Sequence, residues 1–226
     1  MGTLSLALPA PHKGGQRAIY QALKSPTWRF FTIACGRRFG KTTFGKTVTA
    51  EAVLRYNMEV WWVSPTYKMS VAIWREFKKS IGPFASWVST QDRMMEFPGS
   101  GVLSIWSGES GETMRGGAPD IVIFDEAAMI RDADLWPAAV RPALTDKHGK
   151  ALFLSTPRGH DWFWELFNRG YDPLFPEYKS FRFPTINNPT LPGREAEIEE
   201  ARRSLPERLF RQEYLAEFME DAGGVF

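Results

Sequence analysis

The sequence predicts an α/β fold: a mostly parallel, doubly wound sheet with helices on both faces and an antiparallel extension. Three observations carry that prediction. Short apolar, β-branched runs recur along the chain (FFTIAC from Phe30, EVWWVS from Glu59, IVIFD from Ile121, ALFLS from Ala151, YKSFRF from Tyr178), each bounded by polar or glycine-containing stretches. Between most of them lie segments of helical period and length, the alternation that produces parallel strands joined by crossover helices. The first run also passes directly into Gly40-Lys41-Thr42 at the opening of a helix, the strand, loop, helix order of a phosphate-binding turn.

Taken in order, residues 1–15 are rich in Pro, Gly and Ala and read as a loose N-terminal arm. A short helix follows from Gln16 to Leu23, and Pro26 stops it. After the first strand, Thr42 to Arg55 reads as a helix burying Phe44, Val48 and Ala52. The strand Glu59–Ser64 ends at Pro65-Thr66, and residues 68–80 form an amphipathic helix with Val71, Trp74 and Phe77 on one face. Between Trp87 and Trp106, two or three short strands with turns at Pro98-Gly99 and Gly101 predict the antiparallel extension.

Ser107 to Asp120 is a glycine-rich polar loop, followed by the strongly apolar strand at Ile121. Asp134 to Leu144 reads as a helix interrupted near Pro137. A strand from Ala151 to Ser155, an aromatic helix from Asp161 to Asn168 and a last strand from Tyr178 to Phe183 complete the sheet. A loop at Pro184–Pro192 and two helices, Arg194–Ser204 and Pro206–Glu217, precede the tail AGGVF. Trp162, Phe163, Leu166 and Phe167 read as core packing rather than base stacking.

At 226 residues the chain suffices for one large α/β domain. A net charge of +2 and a pI near 8.7 do not call for nucleic acid by themselves. The single cysteine excludes an internal disulfide and a cysteine-rich zinc site, and the three histidines show no ligand spacing. No signal-like segment and no apolar run near the roughly 20 residues that span a bilayer is present, so the expectation is a soluble, intracellular protein without a membrane partner.

Chemistry concentrates at three strand ends, the place where ligands bind in doubly wound sheets. At the first, Gly40 lets the backbone approach phosphate, Lys41 sets a point charge beside the β and γ phosphates, and the Thr42 hydroxyl suits Mg²⁺. The usual pattern has its first glycine five residues ahead of the second, and here Cys35 holds that place while Gly36 follows it. At the second, Asp125 would hold the Mg²⁺ shell and Glu126 would act as general base. At the third, Ser155 and Thr156 offer hydroxyls to a γ-phosphate or a water. Each segment alone also reads as an ordinary strand end; their order along the chain is what favours an ATP site.

GRRFGKT (Gly36 to Thr42), WWVSPTY (Trp61 to Tyr67), IVIFDEAA (Ile121 to Ala128), LFLSTP (Leu152 to Pro157), PTINNP (Pro184 to Pro189) and FRQEYLAEF (Phe210 to Phe218) together resemble the N-terminal ATPase domain of a bacteriophage large terminase subunit, over nearly the whole chain. The displaced first glycine, with arginines inside the loop, is itself similar to the terminase form. The resemblance implies a P-loop NTPase fold of the RecA-like, additional-strand class. It implies that Gly36, Arg37, Arg38, Gly40, Lys41, Thr42 and Thr43 cradle the triphosphate, that Thr42 and Asp125 support Mg²⁺, that Glu126 is catalytic and that Ser155 and Thr156 couple hydrolysis to movement. Gln16 resembles the glutamine that reads adenine; a helix-start surface residue is the equal alternative. For the arginine that stabilises the transferring phosphoryl group, Arg115 from the glycine-rich loop, acting on a neighbouring subunit, and Arg38, acting in cis, both qualify.

The resemblance further implies an ATPase domain over residues 1–217, with 218–226 opening the linker to a C-terminal nuclease domain absent from this chain. It implies double-stranded viral DNA, a portal protein and a small terminase subunit as partners, and a homo-oligomeric ring, a pentamer, as the assembled state. The expected place is the host cytoplasm, transiently on the procapsid and not in the finished virion. A helicase-like translocase, or a nucleotide-dependent assembly or docking module, is the alternative; the absence of a second similar domain weighs against the former and Glu126 against the latter.

Overall fold

The computed structural model describes residues 6–109, 114 and 117–220. In chain order the elements are α1 (Gln16–Ala22), β1 (Phe30–Cys35), α2 (Lys41–Arg55), β2 (Glu59–Ser64), α3 (Tyr67–Ser80), β3 (Trp87–Ser89), β4 (Met94–Glu96), β5 (Val102–Ser107), β6 (Ile121–Asp125), α4 (Arg141–Ala143), β7 (Lys150–Ser155), α5 (Trp162–Arg169), β8 (Tyr178–Phe183), α6 (Arg194–Ser204) and α7 (Glu207–Leu215). They fall into two compact units, one holding Thr42–Leu152 with the chain up to Ala10, the other Pro11–Lys41 with the chain from Phe153 onward.

In the first unit the strand order is β3-β4-β5-β2-β6. β2 is parallel to both neighbours, with Trp62 level with Ile105 on one side and Ile123 on the other. That register brings Ser64, Ser107 and Asp125 to the carboxyl ends of three adjacent strands. β4 is antiparallel to both of its neighbours, β3 and β5. The predicted antiparallel extension is thus present, and it joins the parallel sheet, beside β2, through β5 (Val102–Ser107). Leu103, Ser104 and Ile105 are all buried, so this strand is covered on both faces, the environment of an interior parallel strand.

The helices of this unit follow from local chemistry. Thr66 caps α3 by accepting from the Met69 amide at 3.3 Å, a contact worth about 1 kcal/mol. Lys78 and Lys79 in its last turn complement the helix dipole, and Ile73, Trp74 and Phe77 bury the inner face. The predicted interruption near Pro137 takes the form of a π-helical stretch, Leu135–Val140, running into α4. Proline lacks the amide that an α ladder needs, and the wider turn absorbs the loss. Trp136 packs edge-on against Phe124 of β6 at 6.2 Å.

In the second unit β1 runs parallel to β8, from Phe30 beside Tyr178 to Cys35 beside Phe183. All six residues of β1 are buried, and burying each phenylalanine contributes roughly 1.5–3 kcal/mol. Asp161 caps α5 by accepting from the Phe163 and Trp164 amides. Phe163 and Leu166 are buried in the core, as the sequence predicts, and Phe218 closes on Phe163 and Phe167 after α7. α7 stops at Leu215, two residues before the predicted end, because Ala216 turns left-handed at φ 55°.

The end of the predicted N-terminal arm is anchored. His12 bonds through Nε2 to the Phe39 carbonyl at 3.0 Å and sets its ring edge-on to Phe39, and Gly15 is buried. Composition suggests mobility there, whereas a few side-chain anchors fix the segment.

Candidate functional site

In the second unit the chain leaves β1 at Gly36 and is held from several sides. The Gly36 amide donates to the Phe183 carbonyl at 3.0 Å and the Arg37 amide to the Glu213 carbonyl at 2.6 Å. The Thr185 hydroxyl donates to the Arg37 carbonyl at 2.7 Å, and the Asn188 amide to the Arg38 carbonyl at 2.6 Å. Arg38 and Gly40 both stand at positive φ, 59° and 94°. For Gly40 that conformation explains the residue type. Gly36 is glycine for a different reason: a Cβ there would sit 2.4 Å from Thr185 Oγ1 and 2.7 Å from the Tyr214 carbonyl.

The side chains around this loop are largely committed. Arg37 pairs with the Glu213 carboxylate and is otherwise exposed; the Arg38 side chain is exposed. Gln16 is buried, donating from Nε2 to the Gly40 carbonyl at 3.1 Å and accepting at Oε1 from the His12 amide at 3.1 Å. A surface role for Gln16 is thereby excluded. Its amide is tied to the loop while keeping one donor and one acceptor site in reserve.

Lys41, only 7% exposed, donates from Nζ to Thr156 Oγ1 at 2.9 Å and to the Cys35 and Gly36 carbonyls at 3.4 Å. Ser155, fully buried, donates to the Thr156 carbonyl at 2.9 Å. The second unit thus gathers Gln16, Gly36, Arg37, Arg38, Gly40, Lys41 and Thr156 around one loop.

In the first unit, α2 continues with Thr42, whose hydroxyl donates to both oxygens of Asp125, at 3.0 and 3.3 Å. Asp125 is buried at the end of β6. A hydroxyl and a carboxylate side by side are hard oxygen ligands, and Mg²⁺ is ordinarily held by one or two such protein groups together with phosphate. No cluster of three or more His, Cys, Asp or Glu side chains placed to hold a metal occurs among the described residues. Glu126 follows at φ 52°, ψ 48°, a left-handed conformation that costs a non-glycine residue roughly 1 kcal/mol or more. Thr43 is exposed and borders an apolar groove of about 460 Å³ lined by Leu6, Leu8, Pro9, Phe77 and Ile81, with the Lys46–Glu76 ion pair beside it.

Arg115 lies outside the described residues; its neighbour Met114 is buried. Sequence reasoning did not single out Thr185, Asn188, Glu213 or His12 as site residues. Only the PTINNP and FRQEYLAEF segments as wholes pointed toward the first three.

A family model described as terminase large subunit, T4likevirus-type, N-terminal, matches residues 32–226. The chain is 34% identical over 218 residues to the terminase large subunit of Escherichia phage T5, covering 94% of this chain and 49% of that protein. It is 30% identical over 233 residues to the terminase large subunit of Thermus virus P23-45, covering 86% of this chain and 47% of that protein. The chain therefore spans about half the length of these curated relatives. The large terminase ATPase domain of Thermus phage P74-26 has a TM-score of 0.72 at 26% identity, over 93% of this chain and 94% of that one. A large terminase from a thermophilic bacteriophage, solved in complex with ADP, shares the fold with a TM-score of 0.69 at 15% identity, over 93% of this chain and 54% of that one. With a phosphate-loop sequence, an Asp-Glu strand end and these matches in agreement, the chain belongs to the terminase large subunit family, in its N-terminal part.

Proposed function

We propose that this chain is the ATP-hydrolysing motor domain of a phage large terminase, driving double-stranded DNA into a procapsid. The observation that carries the reading is the Thr42 hydroxyl on the Asp125 carboxylate, one residue before Glu126 in its left-handed turn. On this reading the amides of Arg38 and of Gly40 to Thr43 bind the phosphates, Gly36 and Arg37 shape the loop, and Arg37, Arg38 and Lys41 supply positive charge. Gln16 uses its remaining donor and acceptor on adenine. Mg²⁺, held by Thr42 and Asp125, would neutralise charge on the β and γ phosphates.

Glu126 accepts a proton from the water that attacks the γ-phosphorus, and the bond to the β-phosphate oxygen breaks, leaving ADP and phosphate. Arg115 from a neighbouring subunit, or Arg38 in cis, offsets the charge of the transferring group. Thr156, which already bonds the Lys41 ammonium, and Ser155 register loss of the γ-phosphate and pass it on.

The longer protein would carry a nuclease domain beyond residues 218–226 and would act in the host cytoplasm. It would do so as a pentameric ring with a portal protein and a small terminase subunit. Support comes from the family and from relatives solved with ADP and with ATP-γ-S. No helix among the described residues is long and apolar enough to cross a membrane. The test is steady-state phosphate release: Glu126→Gln should lower turnover by about 10²–10⁴-fold, the usual contribution of general base catalysis, while nucleotide affinity holds. Equal turnover by the variant would overturn the assignment.

A further inference from the structure

The segment after β8 supplies two side chains that act on the main chain of the phosphate loop rather than on any ligand. Thr185 is fully buried and Asn188 is 6% exposed, and each spends its donor on a single loop carbonyl, Arg37 and Arg38 respectively. The orientation of the Asn188 amide is fixed independently. Its Oδ1 accepts from the Thr190 amide at 2.9 Å and from the Thr190 hydroxyl at 2.7 Å, which leaves Nδ2 facing Arg38. Arg194 Nη1 donates to the Asn188 carbonyl at 3.3 Å and fixes the segment from its other side.

A peptide unit is rigid and trans, so its carbonyl and the next residue's N–H point in opposite directions. Holding the Arg37 carbonyl therefore aims the Arg38 N–H away from Thr185, and holding the Arg38 carbonyl orients the Arg38–Phe39 unit with its N–H turned into the loop. The Phe39 amide returns to the Gly36 carbonyl at 3.3 Å and closes the turn. Aimed amides of this kind make an anion-binding concavity, and Arg38 in its left-handed conformation would not keep that shape without support.

We infer that Thr185 and Asn188 are positioning residues for phosphate: the Thr185 bond aims the Arg38 amide at the triphosphate, and the Asn188 bond holds the Arg38–Phe39 peptide so that the turn presenting that amide stays closed. This rests on the nucleotide reading above and adds a determinant of affinity remote in sequence from the loop. Replacing Thr185 by valine keeps the shape and removes the donor, so the Arg37 carbonyl loses this restraint and the aim of the Arg38 amide is weakened.

The experiment is titration of the chain with ATP-γ-S and Mg²⁺, alongside thermal unfolding of the nucleotide-free protein. Thr185→Val should weaken binding about tenfold, the loss of one well-placed hydrogen bond, and Thr185→Ser should restore it to within about twofold. Asn188→Asp, which sets a carboxylate oxygen toward the Arg38 carbonyl, should weaken binding at least as much, and it carries the comparison if Thr185→Val does not fold. A purely structural role predicts lower unfolding temperatures with unchanged affinity well below the transition, and that result overturns the inference. Wild-type protein that does not bind ATP-γ-S overturns the nucleotide reading instead.

Discussion

Gly36→Ala separates two reasons for the displaced glycine of the phosphate loop. If glycine is there to admit phosphate, alanine should harm nucleotide binding and leave the free protein alone. The structure gives another cause: the added Cβ would stand 2.4 Å from Thr185 Oγ1, 2.7 Å from the Tyr214 carbonyl and 2.8 Å from the Thr185 amide. Two of these are main-chain atoms, and moving them strains the bonds from Gly36 to Phe183 and from Arg37 to Glu213. Overpacking of this kind costs about 1–3 kcal/mol, and weakening the Thr185 to Arg37 bond adds about 1 kcal/mol. Against this stands a gain of about 0.4–1 kcal/mol from a less flexible unfolded chain. The net expectation is a loss of about 2 kcal/mol, or about 4–8 °C in the unfolding temperature for a chain of this size. Circular dichroism melting of nucleotide-free wild type and variant measures it. An unfolding temperature equal to or above wild type would refute the packing account.

Three further outcomes follow from the same structure. Glu126→Gly removes left-handed strain of roughly 1–2 kcal/mol, partly offset by glycine's greater unfolded-state freedom of about 0.5–1 kcal/mol, so melting should show a rise of a few degrees at most together with loss of ATP turnover; a clear drop in melting temperature contradicts the strain assignment. Asp161 is held above its ordinary carboxylate value by burial, against which the Trp164 and Phe163 amides work. A raised folded value means the native state binds the proton more tightly, so this group's contribution to stability falls as pH rises from 3.8 through the folded value. In urea titrations at several pH values, wild type should therefore gain on Asp161→Asn as the solution is acidified, and a constant difference between them rejects the assignment. Lys147 is desolvated, yet Asp120 and Glu59 outweigh that and raise it. Its stabilisation is present below 10.5 and lost as pH climbs through the higher folded value. Because it is 39% exposed, Lys147→Met should cost below about 1 kcal/mol at neutral pH, and less in high salt.

The strands were legible because each is a short, nearly continuous apolar run, and the phosphate loop because Gly40-Lys41-Thr42 follows one of them directly. The parallel pairing of Val102–Ser107 with Glu59–Ser64 was not, since hairpin-like turns on its N-terminal side announce only its antiparallel partner, Met94–Glu96, and burial on both faces is invisible in a local pattern. Local composition also gave no sign of the anchors at His12, whose imidazole and amide bond Phe39 and Gln16 in a segment that Pro and Gly make look loose. Thr185 and Asn188 lie about 150 residues from the carbonyls they hold. Their side chains match ordinary turn chemistry equally well, so only the fold reveals their partners. The left-handed turn at Glu126 likewise has no signature in residue type, because glutamate is not a residue that favours it.

The most direct test of the central claim is a crystal structure of this chain with ATP-γ-S and Mg²⁺. The account predicts the β and γ phosphates against the amides of Arg38 and of Gly40 to Thr43. Lys41 Nζ should have moved from Thr156 onto phosphate oxygen, and the metal should lie between Thr42 Oγ1 and Asp125. Nucleotide bound elsewhere, or Lys41 still on Thr156 with phosphate out of its reach, would contradict it.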